Sequence, residues 1–164
     1  LPLIYLMDVP GFFIGSGAED TKLGRRSAKL LFELGHATVP RCSVVLRKGY
    51  GLGYYAMCGG RSFEADACFA WPTAEICAMS VEGAVDVAYQ KRINAAADPA
   101  AQRAELVGRF REHLGAMHAA AHFGIDDVID PRDTRAVIAA TLERCGPRKL
   151  NRREPGRRHA ISPI

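Results

Sequence analysis

Apolar and polar positions form alternating blocks along the chain, and the blocks have the lengths of strands and helices. Short apolar runs predict buried strands at residues 3–7, 42–46, 65–70 and 74–78. Apolar residues spaced three or four positions apart predict helices from Asp20 or Thr21 to Gly35, at 52–58, from Ser80 or Val81, at 99–122 with a break near Gly115, and at 132–144. Residues 124–131 predict a short strand or turn. This alternation predicts an α/β fold with a largely parallel, buried sheet.

A glycine-rich segment, residues 47–57, follows one of these strands directly. The run that ends at Leu46 leads into glycines at positions 49, 51 and 53, and then into a short apolar stretch. This order predicts a strand, a tight turn and the N-terminus of a helix, where the first backbone N–H groups have no partner within the helix. Such a turn can bind a phosphate group, or the oxyanion that develops on a reacting carbonyl or urea.

A dinucleotide-binding fingerprint is one alternative, since residues 51–56 fit the pattern GxGxxG/A after a strand. That motif expects an acidic residue at the end of the next strand, about 20 residues further on. Asp66 lies 13 residues beyond Gly53 and begins an apolar run instead of ending one. Two tyrosines also occupy the turn where a pyrophosphate would approach, and no Gly-Lys-Ser/Thr sequence follows, which excludes a P-loop.

Side chains that could carry nucleophilic or metal chemistry lack the surrounding motifs. The serines at positions 43, 62 and 80 do not lie in a GxSxG elbow. His118 and His122 have the i, i+4 spacing of a zinc pair, but the glutamate of HExxH is missing, so an ordinary polar role on a helix is favoured. No metal site is expected, and turn or capping roles are predicted for Asp126, Asp127 and Asp130.

Charge is unevenly distributed. The net charge is +4, yet residues 145–164 carry six basic side chains and one acidic one, so residues 1–144 sum to −1. We interpret residues 1–145 as the folded domain and 146–164 as a basic tail. The tail lacks the interleaved aromatic residues and the recognisable module of a nucleic-acid-binding protein, so no nucleic-acid partner is expected.

Cysteine usage and apolar run lengths bear on the compartment. Five cysteines without CxxC spacing predict small core residues in a reducing compartment, and no apolar run approaches the roughly 20 residues that span a bilayer. We therefore expect a cytoplasmic protein, or one of the mitochondrial matrix if the source is a eukaryote, with no membrane partner. Because the chain opens on LPLIYLMD, which predicts a buried strand, we expect it to be the tail end of a longer protein.

Several motifs resemble the carboxyltransferase β subunit of biotin-dependent acyl-CoA carboxylases, of the propionyl-, acetyl- and methylcrotonyl-CoA carboxylase type. They extend over the whole chain and comprise DVPGF (8–12), ATVP (37–40), RKGYGLGYY (47–55), AWPTAEI (70–76), EGAV (82–85), IDPRDTR (129–135) and the closing ISPI (161–164). The resemblance implies most of the second of two crotonase-like (ClpP-like) domains, truncated at its N-terminus.

The resemblance also implies a function and its partners. The family moves a carboxyl group from carboxybiotin, held on a carrier protein, to the α-carbon of an acyl-CoA. Its C-terminal half receives the biotin, and its N-terminal half binds the acyl-CoA across a dimer interface, commonly within a hexamer. The expected cofactor is therefore biotin, and the expected partners are acyl-CoA, a biotin carboxyl carrier or biotin carboxylase subunit, and further copies of the chain. The isolated piece is expected to be inactive.

The same resemblance assigns roles to residues of the glycine turn. The family's RKAYGGAY aligns with RKGYGLGYY, which places the two N–H donors of an oxyanion hole for biotin at Leu52 and Gly53. Leu52 replaces a family glycine, so its donor survives only if its φ is not positive. The implied substrate-binding residues are Gly51, which permits the turn, Tyr54, Tyr55 at a position that varies with acyl preference, and Gly11 and Phe12 as an opposing wall.

Three other functions stay open within this resemblance. A biotin-dependent acyl-CoA decarboxylase subunit runs the same chemistry towards loss of CO2. A non-catalytic, interface-forming paralogue is suggested by the Leu52 departure alone. A crotonase-type hydratase is disfavoured, because no pair of glutamates lies near the glycine turn.

Overall fold

The computed structural model describes residues 1–122 and 124–146, and its centre is a parallel sheet. Four strands lie side by side in the order β1-β2-β3-β5, and β4 pairs with the far end of β2. All of these pairings are parallel. The strands are β1 (Leu3–Val9), β2 (Arg41–Tyr50), β3 (Ala67–Ala70), β4 (Glu75–Cys77) and β5 (Asp127–Val128). The predicted parallel α/β sheet is confirmed, but the expected burial of β1 is wrong, because β1 lies at the edge of the sheet with Ile4 37% and Leu6 54% exposed.

Seven α-helices connect and cover the strands in the described part of the chain. They are α1 (Ser16–Asp20), α2 (Leu23–His36), α3 (Gly51–Ala56), α4 (Val81–Asn94), α5 (Pro99–Arg111), α6 (Ala116–Ala121) and α7 (Thr134–Arg144). Short 3-10 turns lie at Gly59–Glu64 and Pro131–Asp133. The start signals of α4 and α5 are confirmed, because Ser80 and Asp98 accept hydrogen bonds from backbone N–H groups in the first turn of each helix.

One predicted helix differs from the observed one. It begins at Leu23 after a separate α1, because Lys22 between them has a left-handed backbone with φ of 54°. The break predicted near Gly115 in the helix at 99–122 is confirmed, since the extended Gly115, with ψ of 158°, lies between α5 and α6. Residues 147–164, most of the predicted basic tail, lie outside the described residues.

The central strand β2 has apolar cores on both of its sides. One core joins Met7, Val45, Tyr54, Cys68 and Ile125, and the other joins Cys42, Val44, Phe69 and Ile129. None of the five cysteines, all within the described residues, is in a disulfide bond, and three of them, Cys42, Cys58 and Cys68, are buried as expected. Burial raises the pKa of the Cys42 thiol to about 12.

No helix in the described part of the chain is long and apolar enough to cross a membrane.

Candidate functional site

The glycine turn lies where β2 ends and α3 begins. Tyr50 is extended, with φ of −110° and ψ of 133°, and Gly51 then has φ of 57°. A side chain at Gly51 would be strained by this φ, and its Cβ would lie 2.9 Å from the carbonyl oxygen of Ala78. No described side chain caps α3. Because the first N–H groups of a helix lack intrahelical acceptors, the amides of Gly51, Leu52 and Gly53 can donate to an added group.

Leu52 keeps its N–H donor without strain. Non-glycine residues with positive φ in the described chain are confined to Lys22, Cys58 and Arg61, so Leu52 has an ordinary helical backbone. Its side chain is 43% exposed. Leucine therefore replaces the family glycine without disturbing the turn. The requirement that φ at position 52 is not positive is met.

Gly53 contacts the loop that follows β1. A Cβ at Gly53 would lie 2.8 Å from Cγ2 of Val9 and 3.4 Å from the carbonyl oxygen of Gly11. Gly11 has φ of 122°, and Phe12 beside it is half-buried. The structure thus brings Gly11 and Gly53 together. This packing is consistent with the predicted opposing wall, whose role in binding stays a prediction.

An ion pair joins the two strands just before this contact. The Asp8 carboxylate accepts hydrogen bonds from Nε and Nη2 of Arg47, the latter at 2.9 Å, and from the backbone N–H of Lys48. Asp8 lies where the register between β1 and β2 shifts. Hydrogen bonding from Arg47 holds the pKa of Asp8 below its usual range. Asp8 and Arg47 lie in two separate sequence motifs, and their pairing was not predicted. Opposite charges near the ends of neighbouring parallel strands could have indicated it.

We expect Asp8→Asn to loosen the loop over Gly53 in the full-length protein. Hydrogen exchange of the backbone amides of Val9, Gly11 and Phe12 should rise at pH 6–8, and the midpoint of thermal unfolding should fall slightly. The carboxylate's contribution is fully present above the ordinary Asp pKa of about 3.9 and is lost as pH falls through the lower folded pKa. The difference between variant and wild type should therefore shrink only below about pH 4.

The matched control is Asp130→Asn, which removes an exposed carboxylate paired with Arg132 in a different turn. It should leave exchange at residues 9–12 unchanged. Equal exchange in the two variants would contradict the positioning role of Asp8.

Tyr54 lies beneath the turn, in the apolar core. Its side chain is 7% exposed, and its hydroxyl donates to the carbonyl oxygen of Gly124. Three glycines surround it: a Cβ at Gly49, Gly59 or Gly60 would approach its atoms to 2.8, 2.3 and 3.2 Å respectively. This packing favours a supporting role for the Tyr54 side chain, and its predicted contact with a substrate stays a prediction.

Exposed apolar side chains mark the three segments that meet at the turn. Tyr55 is 59% exposed on α3, beside Leu52, and Met79 follows the Ala78 that packs on Gly51. The loop after Gly11 exposes Phe13 and Ile14. Exposed apolar groups of this kind commonly mark binding surfaces. The set Phe13, Ile14, Leu52, Tyr55 and Met79 is called the apolar rim below.

The other side chains considered for chemistry are engaged elsewhere. The Nδ1 atoms of His113 and His122 each contact a backbone carbonyl four residues earlier. Within residues 1–122 and 124–146, no three His, Cys, Asp or Glu side chains form a group that could hold a metal ion. Asp130 caps the second 3-10 turn, as predicted, and Asp127 accepts the backbone N–H of the next residue, Val128. Asp126 instead accepts the backbone N–H of Cys68 in β3, so it links two distant segments and does not cap a turn.

Two larger hollows lie apart from the turn. One, of about 820 Å³, lies between α7 and the β3–β5 edge, and the other, of about 340 Å³, lies between α4 and α5. Neither is lined by a residue of the turn or of the apolar rim. The exposure of Leu52 and Tyr55 makes the candidate site an open junction between strand and helix.

Residues 1–159 match the model of the carboxyl transferase domain. The chain belongs to this family. It is 45% identical over 164 residues to the methylmalonyl-CoA carboxyltransferase 12S subunit of Propionibacterium freudenreichii subsp. shermanii, covering 99% of this chain and 31% of that one. It is also 40% identical to the methylmalonyl-CoA decarboxylase subunit alpha of Propionigenium modestum, covering 84% and 27%. The chain thus spans about a third of the length of the curated relatives it matches.

Solved structures confirm the fold. The crystal structure of transcarboxylase 12S, described as a hexamer assembly with methylmalonyl-CoA and methylmalonic acid bound, gives a TM-score of 0.89 at 44% identity. The match covers 100% of this chain and 31% of that one. The β subunit of P. aeruginosa geranyl-CoA carboxylase gives 0.77 at 28% identity, covering 92% and 30%. The crotonase-like α/β class and the family resemblance are both confirmed.

Proposed function

We propose that the protein moves a carboxyl group from carboxybiotin to the α-carbon of a short-chain acyl-CoA, with this chain supplying the biotin side of the site. The observation that carries the proposal is the glycine turn of a carboxyl transferase domain, in which α3 has no side-chain cap and Gly53 packs against the Gly11 loop. Relatives named for methylmalonyl-CoA and propionyl-CoA support the choice of a short acyl group.

The residues present fit a biotin group. When bound, biotin would supply the carboxyl group on a ureido nitrogen. In this proposal the N–H groups of Leu52 and Gly53 would donate to the ureido oxygen, and the exposed apolar rim would contact the rings. Preorganised N–H donors stabilise negative charge most where it develops, so these two amides would stabilise an oxyanion at the position of the ureido oxygen. Backbone amides do not titrate near neutral pH. Stabilisation by these amides therefore requires no acid–base side chain at the turn.

The partners follow from this role. Biotin would arrive on a carrier protein, as the biotin carboxyl carrier or biotin carboxylase subunit of the assembly. The acyl-CoA would bind largely on a part of the protein outside this chain, with its acyl group reaching Tyr55. A relative described as a hexamer supports assembly into a homo-oligomer. We place these events in the cytoplasm, or in the mitochondrial matrix of a eukaryote, where relatives named mitochondrial occur.

A decarboxylase subunit is the second candidate function, supported by 40% identity to the methylmalonyl-CoA decarboxylase subunit alpha of Propionigenium modestum. The site chemistry would be shared, and the partner proteins would set the direction. The non-catalytic alternative rested on Leu52, whose backbone keeps its donor here, so the geometry favours catalysis.

The test uses the full-length protein with methylmalonyl-CoA or malonyl-CoA, and with biocytin as the carboxyl acceptor. We expect loss of the acyl carboxyl group that depends on biocytin. Loss at the same rate without biocytin, or no loss with either substrate from a folded protein, would contradict carboxyl transfer on a short acyl-CoA. Adding purified carrier protein in place of biocytin then distinguishes the carboxylase from the decarboxylase assembly.

Tyr55→Ala should widen the range of acyl groups if this exposed ring narrows the pocket. We expect the rate with octanoyl-CoA relative to propionyl-CoA to rise about tenfold, since a few methylenes in an apolar pocket discriminate by at least that much. The measurement is carboxylation by the assembled enzyme. Tyr55→Phe keeps the bulk and should keep the wild-type ratio. An unchanged ratio in Tyr55→Ala would remove Tyr55 from acyl selection.

A further inference from the structure

Tyr50 and Glu75 form a hydrogen bond directly below the turn. The Tyr50 side chain is 5% exposed, and its hydroxyl donates to Oε2 of Glu75 at 2.5 Å. Tyr50 is the last residue of β2, and Glu75 is the first residue of the short strand β4. The bond therefore ties the end of the central strand to the strand that pairs with it.

The same two strands hold the first residues of α3. Register places Gly49 opposite Ile76 and Tyr50 opposite Cys77, and the carbonyl of Ala78, just after β4, packs on Gly51. β4 is in turn anchored by the backbone N–H of Ile76, which donates to the carbonyl of Leu114. A movement of Tyr50 relative to β4 would therefore rotate Gly51 and redirect the amides that follow it.

Apart from the packing of Gly51 on Ala78 and of Gly53 on Val9 and Gly11, few side chains hold the start of α3. No described side chain caps it, and Leu52 and Tyr55 are exposed. The buried side chain of Tyr54 holds the underside of the helix, whereas the Tyr50–Glu75 bond holds its entry. Burial and the bond to Glu75 raise the pKa of Tyr50, so its hydroxyl keeps its proton and remains a donor at physiological pH.

We propose that Tyr50 and Glu75 are a positioning pair that sets the direction of the Leu52 and Gly53 amides. The pair does not touch the substrate. It acts on catalysis through the turn, and this part rests on the proposed function.

The test compares Tyr50→Phe, Glu75→Ala and Glu75→Gln in the full-length protein. Tyr50→Phe removes only the donor, and we expect kcat for biocytin-dependent loss of the carboxyl group to fall about tenfold, as for a hydrogen bond to a charged acceptor. KM for methylmalonyl-CoA should not change, because neither Tyr50 nor Glu75 contacts the acyl-CoA in this proposal. Glu75→Ala should match Tyr50→Phe, and Glu75→Gln should restore most of kcat because its amide oxygen still accepts. Tyr89→Phe, on α4, is the matched control and should keep wild-type kcat.

Hydrogen exchange separates this proposal from the proposed function. The amides of Met57 and Cys58 donate to carbonyls within α3 and report its order. Tyr50→Phe should speed their exchange relative to wild type and Tyr89→Phe, even if wild type shows no carboxyl transfer. Faster exchange in Tyr50→Phe, together with no carboxyl transfer by the wild type, would support the positioning pair and reject the proposed function.

Three results would overturn the positioning pair. One is unchanged exchange at Met57 and Cys58 in Tyr50→Phe. Another is faster exchange with unchanged kcat in an active enzyme. The third is a kcat loss that Glu75→Gln fails to restore, together with faster exchange throughout the chain, which would indicate general destabilisation.

Discussion

Replacing Gly53 by proline in the full-length protein is expected to lower biocytin-dependent carboxyl transfer by about 10²–10³-fold. Proline lacks a backbone N–H, so the substitution removes one of the two proposed donors. Gly53 is the third residue of α3, where the N–H has no intrahelical acceptor, so helical hydrogen bonding is retained. The measurement is kcat with methylmalonyl-CoA and biocytin, in protein whose thermal unfolding shows that it is folded.

The surroundings of Gly53 require a steric control. Any Cβ at this position would approach Cγ2 of Val9 to 2.8 Å, and a β-branched valine has little rotamer freedom with which to move away. Gly53→Ala adds this Cβ and keeps the N–H. Pairing each change with Val9→Ala removes the crowding. We expect Gly53→Ala with Val9→Ala to recover near wild-type kcat, and Gly53→Pro with Val9→Ala to stay impaired.

The comparison of the two double variants isolates the donor. Equal rates in the two would mean that the N–H of Gly53 makes no contribution, and the oxyanion hole would have to be placed elsewhere. Leu52→Gly, which restores the family residue, should leave kcat unchanged because the Leu52 backbone already has an ordinary φ.

Local signals in the sequence were sufficient for most of the fold and for the place of the glycine turn. The apolar run of β2 followed by alternating glycines located the junction with α3, since both patterns are confined to neighbouring residues. The Ser80 and Asp98 caps located the starts of α4 and α5 for the same reason. The split between α1 and α2 could not be predicted, because Lys22 adopts a left-handed backbone that its residue type disfavours.

The support beneath the site depends on contacts between distant residues, which periodicity does not encode. The Asp8–Arg47 pair joins positions 39 residues apart, and the Tyr50–Glu75 bond spans 25. Tyr54 was assigned to the substrate by resemblance alone, because nothing near it in sequence shows that Gly124 lies above its hydroxyl. The sequence indicated which residues form the turn, and the three-dimensional packing shows what holds it in place.

Gly59→Ala should be the most destabilising small change near the site. Its Cβ would lie 2.3 Å from both Cδ2 and Cε2 of Tyr54, a separation that forces the buried ring to move. Overpacking of this kind costs about 1–3 kcal/mol, and we expect the upper end because the displaced ring also loses its bond to Gly124. The measurement is the midpoint of thermal unfolding of the full-length protein, together with exchange at Met57 and Cys58.

Gly108→Ala is the matched control, since a Cβ at this position in α5 meets nothing within 4 Å. It should stabilise the protein by about 0.5–1 kcal/mol, because alanine restricts the unfolded chain and favours the helix interior. Combining Gly59→Ala with Tyr54→Leu should cost less than the sum of the single changes, as expected for residues in contact. If Gly59→Ala unfolds at the temperature of Gly108→Ala, the Tyr54 ring is free to move. The turn above it would then depend on the Tyr50–Glu75 bond and the Asp8–Arg47 pair.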